Sequence, residues 1–170
     1  DHGVLKGIGA PHEMTARYGA DSVAANGGAS SREWGTGEAR IESVAMVDAA
    51  GAPCDVPPAD QMLRFRLAWR APKRIATPTF GFSIADGEGA TVFGSNTEIA
   101  GFDLPFIEGE GTLTLAVDAA ALHAGGYTMS FSLHSRDHAV NYHRLEHAMP
   151  FYLPGRARFD GVCHLPSAWS

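Results

Sequence analysis

Gly125-Gly-Tyr-Thr-Met-Ser-Phe-Ser-Leu-His-Ser135 decides how this chain folds. Tyr127, Met129, Phe131 and Leu133 alternate with Thr128, Ser130, Ser132 and His134. Successive strand residues point to opposite faces, so the alternation collects apolar groups on one face and polar groups on the other. At helical spacing the same residues would scatter around the axis. The Gly-Gly pair supplies the turn that leads in. The pattern predicts a strand with one face in a core and the other in water. The polar face has no structural task in this reading and is the place to look for function.

The same period recurs on both sides of this stretch. Gln61 to Arg70 sets Leu63, Phe65, Leu67 and Trp69 against Arg64, Arg66 and Arg70. Thr77 to Asp86 sets Phe80, Phe82 and Ile84 against Thr79, Gly81 and Ser83, and Asp86-Gly-Glu-Gly89 turns the chain into Ala90 to Ser95. A first strand approaches the turn near Gly51, and Leu113, Leu115 and Val117 mark another after Gly109-Glu-Gly111. Leu145 to Leu153 and Ala157 to Leu165 complete about eight. Pro53 to Pro58 is irregular or an edge, because proline cannot donate to a ladder. Short alternating strands at regular spacing predict an all-β chain, an immunoglobulin-like antiparallel β-sandwich. In such a sandwich the Thr77, Tyr127 and Leu145 strands share one sheet.

Ahead of the strands, Pro11 suits a first helical position, and Met14 and Tyr18 share a face four residues apart, which predicts a short helix. The Ala, Gly and Ser of Gly19 to Arg32 read as a flexible linker. The chain thus divides into residues 1–20, a linker over 21–33, and the sandwich over 34–170. Because Asp1 stands where an initiator Met is expected, the chain reads as part of something longer.

A net charge of −6 argues against a sequence-independent grip on nucleic acid. No apolar run reaches the length of a membrane span, and no signal peptide opens the chain. Cys54 and Cys163 are too few for a disulfide framework and read as free thiols in a reducing compartment. His134, His138, His143 and His147 fall close together, but His143 lacks the Glu that follows the first His of a zinc-protease helix. Loop or edge positions explain them, and no metal or cofactor is called for. Neither a Gly-x-Ser-x-Gly elbow nor a carboxylate pair placed for glycoside hydrolysis stands out, so an enzyme is the weaker class.

Several fragments carry a family resemblance by their order. Trp34-Gly-Thr-Gly-Glu-Ala-Arg-Ile-Glu-Ser-Val44, Val92-Phe-Gly-Ser-Asn-Thr97, Gly109-Glu-Gly-Thr-Leu-Thr-Leu115 and Gly126-Tyr-Thr-Met-Ser-Phe131 precede a late Phe151 strand. Together they resemble the C-terminal carbohydrate-binding domain of the ATPase subunit of O-antigen polysaccharide ABC exporters (Wzt-type). Asp1-His-Gly-Val-Leu5, Gly9-Ala-Pro-His-Glu-Met14 and Tyr18 are similar to the end of that subunit's nucleotide-binding domain. With no Walker A pattern, this fragment is not expected to bind ATP. The resemblance implies a cytoplasmic module, peripheral at the inner membrane, that grips an undecaprenyl-linked polysaccharide before export. Its further implied partners are the transporter's membrane subunit, reached through the parent ATPase, and a second copy. The homodimer would exchange the C-terminal strand, here Phe159 to Trp169.

Glycans offer hydroxyls to hydrogen-bond and C–H faces to stack on rings. The outer face of the shared sheet would carry Thr79, Ser83, Ser130, Ser132, His134 and Tyr152, with Tyr142 leaning in from the adjoining loop. Arg64, Arg66 and Arg70 form an alternative ligand face suited to an acidic or phosphate-bearing glycan end. Either face can equally be an ordinary solvated surface, and the arginines can simply pair with neighbouring carboxylates. A β-sandwich that only dimerises or docks proteins, without glycan binding, is the rival reading.

Overall fold

The computed structural model describes residues 32–58 and 61–155, together with Phe159, Gly161, Cys163 and His164. Eight strands form among them: β1 (Arg32–Trp34), β2 (Arg40–Met46), β3 (Met62–Ala76), β4 (Pro78–Asp86), β5 (Thr91–Asn96), β6 (Phe106–Asp118), β7 (Gly125–Ser135) and β8 (Asn141–Leu153). They make two antiparallel sheets, β1-β8-β7-β4-β5 and β2-β3-β6. The β-sandwich that the alternation predicts is the observed fold, and β4, β7 and β8 share one sheet as expected.

The core is where the two alternating patterns meet. Phe80, Ile84, Met129, Phe131 and Leu133 from the larger sheet face Leu63, Phe65, Leu67 and Ile107 from the smaller. Phe131 and Phe65 meet edge to face across the layers, with centroids 5.7 Å apart. Burying rings of this size is the dominant favourable contribution to folding. Trp69 packs against this core and lies over Gly111, where a Cβ would come within 2.4 Å of the indole. An apolar cleft of about 220 Å³ opens between β5 and β6, lined by Phe80, Phe82, Phe102, Leu113 and Leu115.

Three expectations need correction. The polar face of β7 is not in water: Thr128, Ser130, Ser132 and His134 are only 6, 6, 7 and 6% exposed. β7 is the central strand of its sheet, flanked by β4 and β8. Opposite Ser130 the β8 register jumps from Met149 to Leu145, and the extra residues cover it. The backbone N–H of His147 in that bulge donates to Ser130 Oγ at 3.0 Å, and His147 Nδ1 lies 3.0 Å from Thr128 Oγ1. Secondly, Arg32 and Glu33, at the end of the expected linker, pair with β8 as β1. Thirdly, His143 is not a loop or edge group; it is 3% exposed, and on β8 it is the register partner of Leu133.

That histidine joins three strands. The backbone N–H of Ile41 donates to His143 Nδ1 at 3.1 Å, so the ring proton sits on Nε2, 3.0 Å from Glu33 Oε1. Arg40 pairs with the same carboxylate. The His143 hydrogen bond and the Arg40 charge hold the Glu33 carboxyl below its ordinary range.

The expected helix from Pro11 to Tyr18 and most of the linker lie outside the described residues. So does most of the expected strand from Ala157 to Leu165. Of its described residues none is in a strand: the Phe159 ring stacks on His123 at 3.8 Å, and the His164 N–H donates to Ala121 O at 2.9 Å.

Candidate functional site

On the outer face of the larger sheet, small residues line up across adjoining strands. Register pairs Gly81 with Ser132 and Ser83 with Ser130 between β4 and β7, and Ser83 with Gly94 between β4 and β5. With nothing longer than serine across this floor, the sheet forms an open trough of about 250 Å³. A Cβ on Gly81 would lie 2.7 Å from Ser132 Oγ, so any larger residue there would turn the serine hydroxyl aside. A Cβ on Gly94 would press on Phe82 O at 3.2 Å.

The walls come from the ends of β5, β7 and β8. Asp137 shapes the β7–β8 turn by accepting from Ser135 Oγ at 2.6 Å and from the Ala139 N–H at 3.1 Å. His138 then takes a left-handed φ of 59°, which brings its ring to 4.2 Å from that of His134. His134 Nδ1 lies 2.8 Å from Ser135 O. A carbonyl only accepts, so Nδ1 carries the proton and Nε2 is left as an acceptor. Asn96 Oδ1 accepts the Ile99 N–H at 2.7 Å, which leaves its amide hydrogens for the trough. Arg144 Nε donates to Glu146 Oε1 at 3.0 Å, and the Arg144 side chain and Asn141 complete the wall.

Burial holds His134 below the ordinary histidine range, so the ring is neutral near pH 7. A depressed histidine value means that the unfolded chain takes up the proton first as pH falls. His134 therefore contributes fully to stability above its unfolded value of about 6.5, and that contribution is lost as pH falls through its folded value. Thermal melts from pH 7.5 to 5 are expected to show a steeper loss for the parent than for His134→Asn. Parallel curves would contradict the assignment.

Ser83, Ser130, Ser132 and His134 all line the trough. Thr79 pairs with His134 but is 2% exposed and borders a separate small cleft with Thr97 and Glu98. Tyr142 packs against the core cluster, and burial pushes its hydroxyl up from the usual range. Tyr152 pairs with Gly126, further along the sheet and outside the trough. Arg64, Arg66 and Arg70 are on β3, in the other sheet. There Arg64 Nη1 donates to Met62 O at 3.0 Å, Arg66 donates to Gly51 O, and Arg70 pairs with Glu110 at 3.7 Å.

Gly81, Ser95, Asn96, His138, Asn141 and Arg144 line the trough without having been singled out as site residues. Ser95 and Asn96 sit inside the Val92–Thr97 fragment, which was the available signal. Arg144 gave none, because it lies one residue ahead of the expected Leu145 strand, although it pairs in regular register with Ser132. Among the described residues no three of His, Cys, Asp and Glu converge to hold a metal ion. The four clustered histidines instead separate, two side by side at the trough with their rings tilted, one bonded to Thr128 and one between the sheets.

A profile of the Wzt C-terminal domain matches residues 30–165. The crystal structure of the C-terminal domain of Wzt superposes with a TM-score of 0.71 at 18% identity, over 82% of this chain and 87% of that one. That likeness is one of fold. A β-glucuronidase from Parabacteroides merdae aligns over 64% of this chain and 13% of its own, at 14% identity and a TM-score of 0.38, too low to carry an argument. No curated protein matches the sequence significantly. Matched over most of its length, the chain belongs to the Wzt C-terminal domain family.

Proposed function

We propose that this chain is the non-catalytic polysaccharide-recognition domain of an ABC exporter's ATP-binding subunit, and that it holds the glycan in the trough between β5 and β8. The observation that carries this reading is the trough itself. It has a floor of Gly and Ser with His, Asn and Arg walls, an open, polar, pre-formed site of a size to seat a sugar ring. Family membership supports the exporter context. Glycoside hydrolysis canonically uses a pair of carboxylates, and no carboxylate lines the trough. In this reading the glycan is lipid-linked, the domain works on the cytoplasmic side of the inner membrane, and the parent ATPase connects it to the membrane subunit.

Saturation-transfer NMR with the O-polysaccharide of the source organism tests it. His138→Asn keeps a residue that tolerates the left-handed turn, and Ser83→Ala alters only a hydroxyl. Each is expected to weaken binding about tenfold, the loss of one good hydrogen bond, while stability stays within about 0.5 kcal/mol. If both bind like the parent, the trough is not the site.

A homodimer that exchanges the C-terminal strand belongs to the same proposal. Exchange of an identical element remakes each closed contact with the partner. Phe159, Val162, Leu165 and Trp169 supply the apolar surface for it. Light scattering is expected to give twice the chain mass, and truncation after Pro154 to abolish it; a monomer at micromolar concentration refutes exchange. A dimer with no glycan binding would favour the docking-domain reading instead.

A further inference from the structure

The hydrogen-bonding character of the trough is lopsided. Its formally charged lining residue is Arg144, and no carboxylate lines it. The carboxylates nearby are each held by the protein: Glu98 by Arg136 at 3.3 Å, Asp137 by Ser135 and Ala139, and Glu146 by Arg144 Nε. Asn96 also lines the trough, and with its oxygen spent on Ile99 it can add only donors there. On the accepting side stand His134 Nε2 and the serine oxygens, and Ser130 Oγ is already accepting from His147.

A neutral sugar presents hydroxyls that must donate as well as accept, and carboxylates are the strongest acceptors a protein can offer them. This site withholds all of its carboxylates. Glu146 engages Arg144 only through Nε, and among the described residues no other hydrogen bond or ion pair holds the guanidinium. That leaves the terminal Nη1/Nη2 fork. A guanidinium fork matches a planar carboxylate, or two oxygens of a phosphate, in bidentate geometry.

We propose that the trough takes a sugar residue bearing an acidic group, a carboxylate or phosphate, with the acid on the Arg144 fork and ring hydroxyls on His134 Nε2 and the serines. This rests on the glycan reading above and narrows it to acidic sugars. It also moves the anion-reading role from the arginines of β3 to Arg144, which lies in the other sheet.

The test is NMR titration of the isotope-labelled full chain with glucuronic acid, galacturonic acid, glucose 6-phosphate, glucose, galactose and inorganic phosphate. An acidic sugar is expected to bind about tenfold or more tightly than its neutral counterpart, the effect of one charge-assisted hydrogen bond, with shifts centred on Arg144 and Asn96. Arg144→Gln should erase that preference, so that acidic and neutral sugars bind alike. Arg144→Lys should restore only part of it, because the charge returns without the fork. Unchanged amide signals in the smaller sheet verify that each variant folds. Uronic acids binding without glucose 6-phosphate identify a carboxylate; the reverse identifies a phosphate. Equal binding of neutral and acidic sugars overturns the acidic inference and leaves the glycan reading standing. Inorganic phosphate binding alone, with no sugar, overturns both at this trough, as does silence from every probe.

Discussion

Replacing Phe131 with Ala is expected to lower the unfolding free energy by about 3–5 kcal/mol, the usual cost of deleting a core phenyl ring. Phe131 is 1% exposed on the central strand. It pairs with Phe82 on β4 and Leu145 on β8, and its ring meets Phe65 of the opposite sheet. Deletion therefore empties a site held from both layers, whose neighbours have little freedom to collapse inward. Denaturant unfolding should show the midpoint falling while the slope is unchanged. The same change should disturb the trough, since Phe131 lies beneath it. A loss below about 1 kcal/mol would mean that the two sheets do not meet there.

Gly35→Ala is the second large effect, and it acts through backbone alone. The φ of Gly35 is 141°, and a Cβ would stand 2.4 Å from Tyr142 O and 2.8 Å from His143 Cα. The turn is pinned to β8, because the Thr36 N–H donates to Asn141 O and the Gly37 N–H to Tyr142 O, both at 2.9 Å. Relief of the clash would break these bonds and pull Glu33 off His143. Dihedral strain of this kind alone costs about 1–3 kcal/mol, and the lost contacts add to it. Gly37→Ala is the control: its φ is 80°, but a Cβ there meets nothing within 4 Å, so strain is its whole cost. Equal melting temperatures for the two variants would remove the close approach to β8 as the reason for glycine at 35.

Both effects bear on how much of the molecule was legible beforehand. Phe131 was, because its phase in β7 assigns it to the core without reference to any partner. Gly35 was visible only as part of a fragment of resemblance; the need for glycine arises from β8, more than a hundred residues away. The candidate site divides in the same way. Ser83, Ser130, Ser132 and His134 follow from alternation within single strands. Asn96, His138 and Asn141 enter through strand ends and a turn, which have no period to read, and Arg144 lies just ahead of the Leu145 stretch where the alternation begins. Strict alternation through Leu145 to Leu153 would send His147 into the core with its neighbours. The bulge turns it onto the polar face instead, where it bonds Thr128.

Residue order by itself thus determined the strands, their core faces and the sandwich, because side-chain period is a local property of the pleated backbone. Only the tertiary structure decided that the polar face of β7 is covered rather than wet, that the arginines of β3 and the serines of β7 lie on different sheets, and that His143 ties β1 and β2 to β8. These depend on which strands become neighbours and where their register slips. That is settled by long-range pairing between segments whose own sequences carry no record of each other.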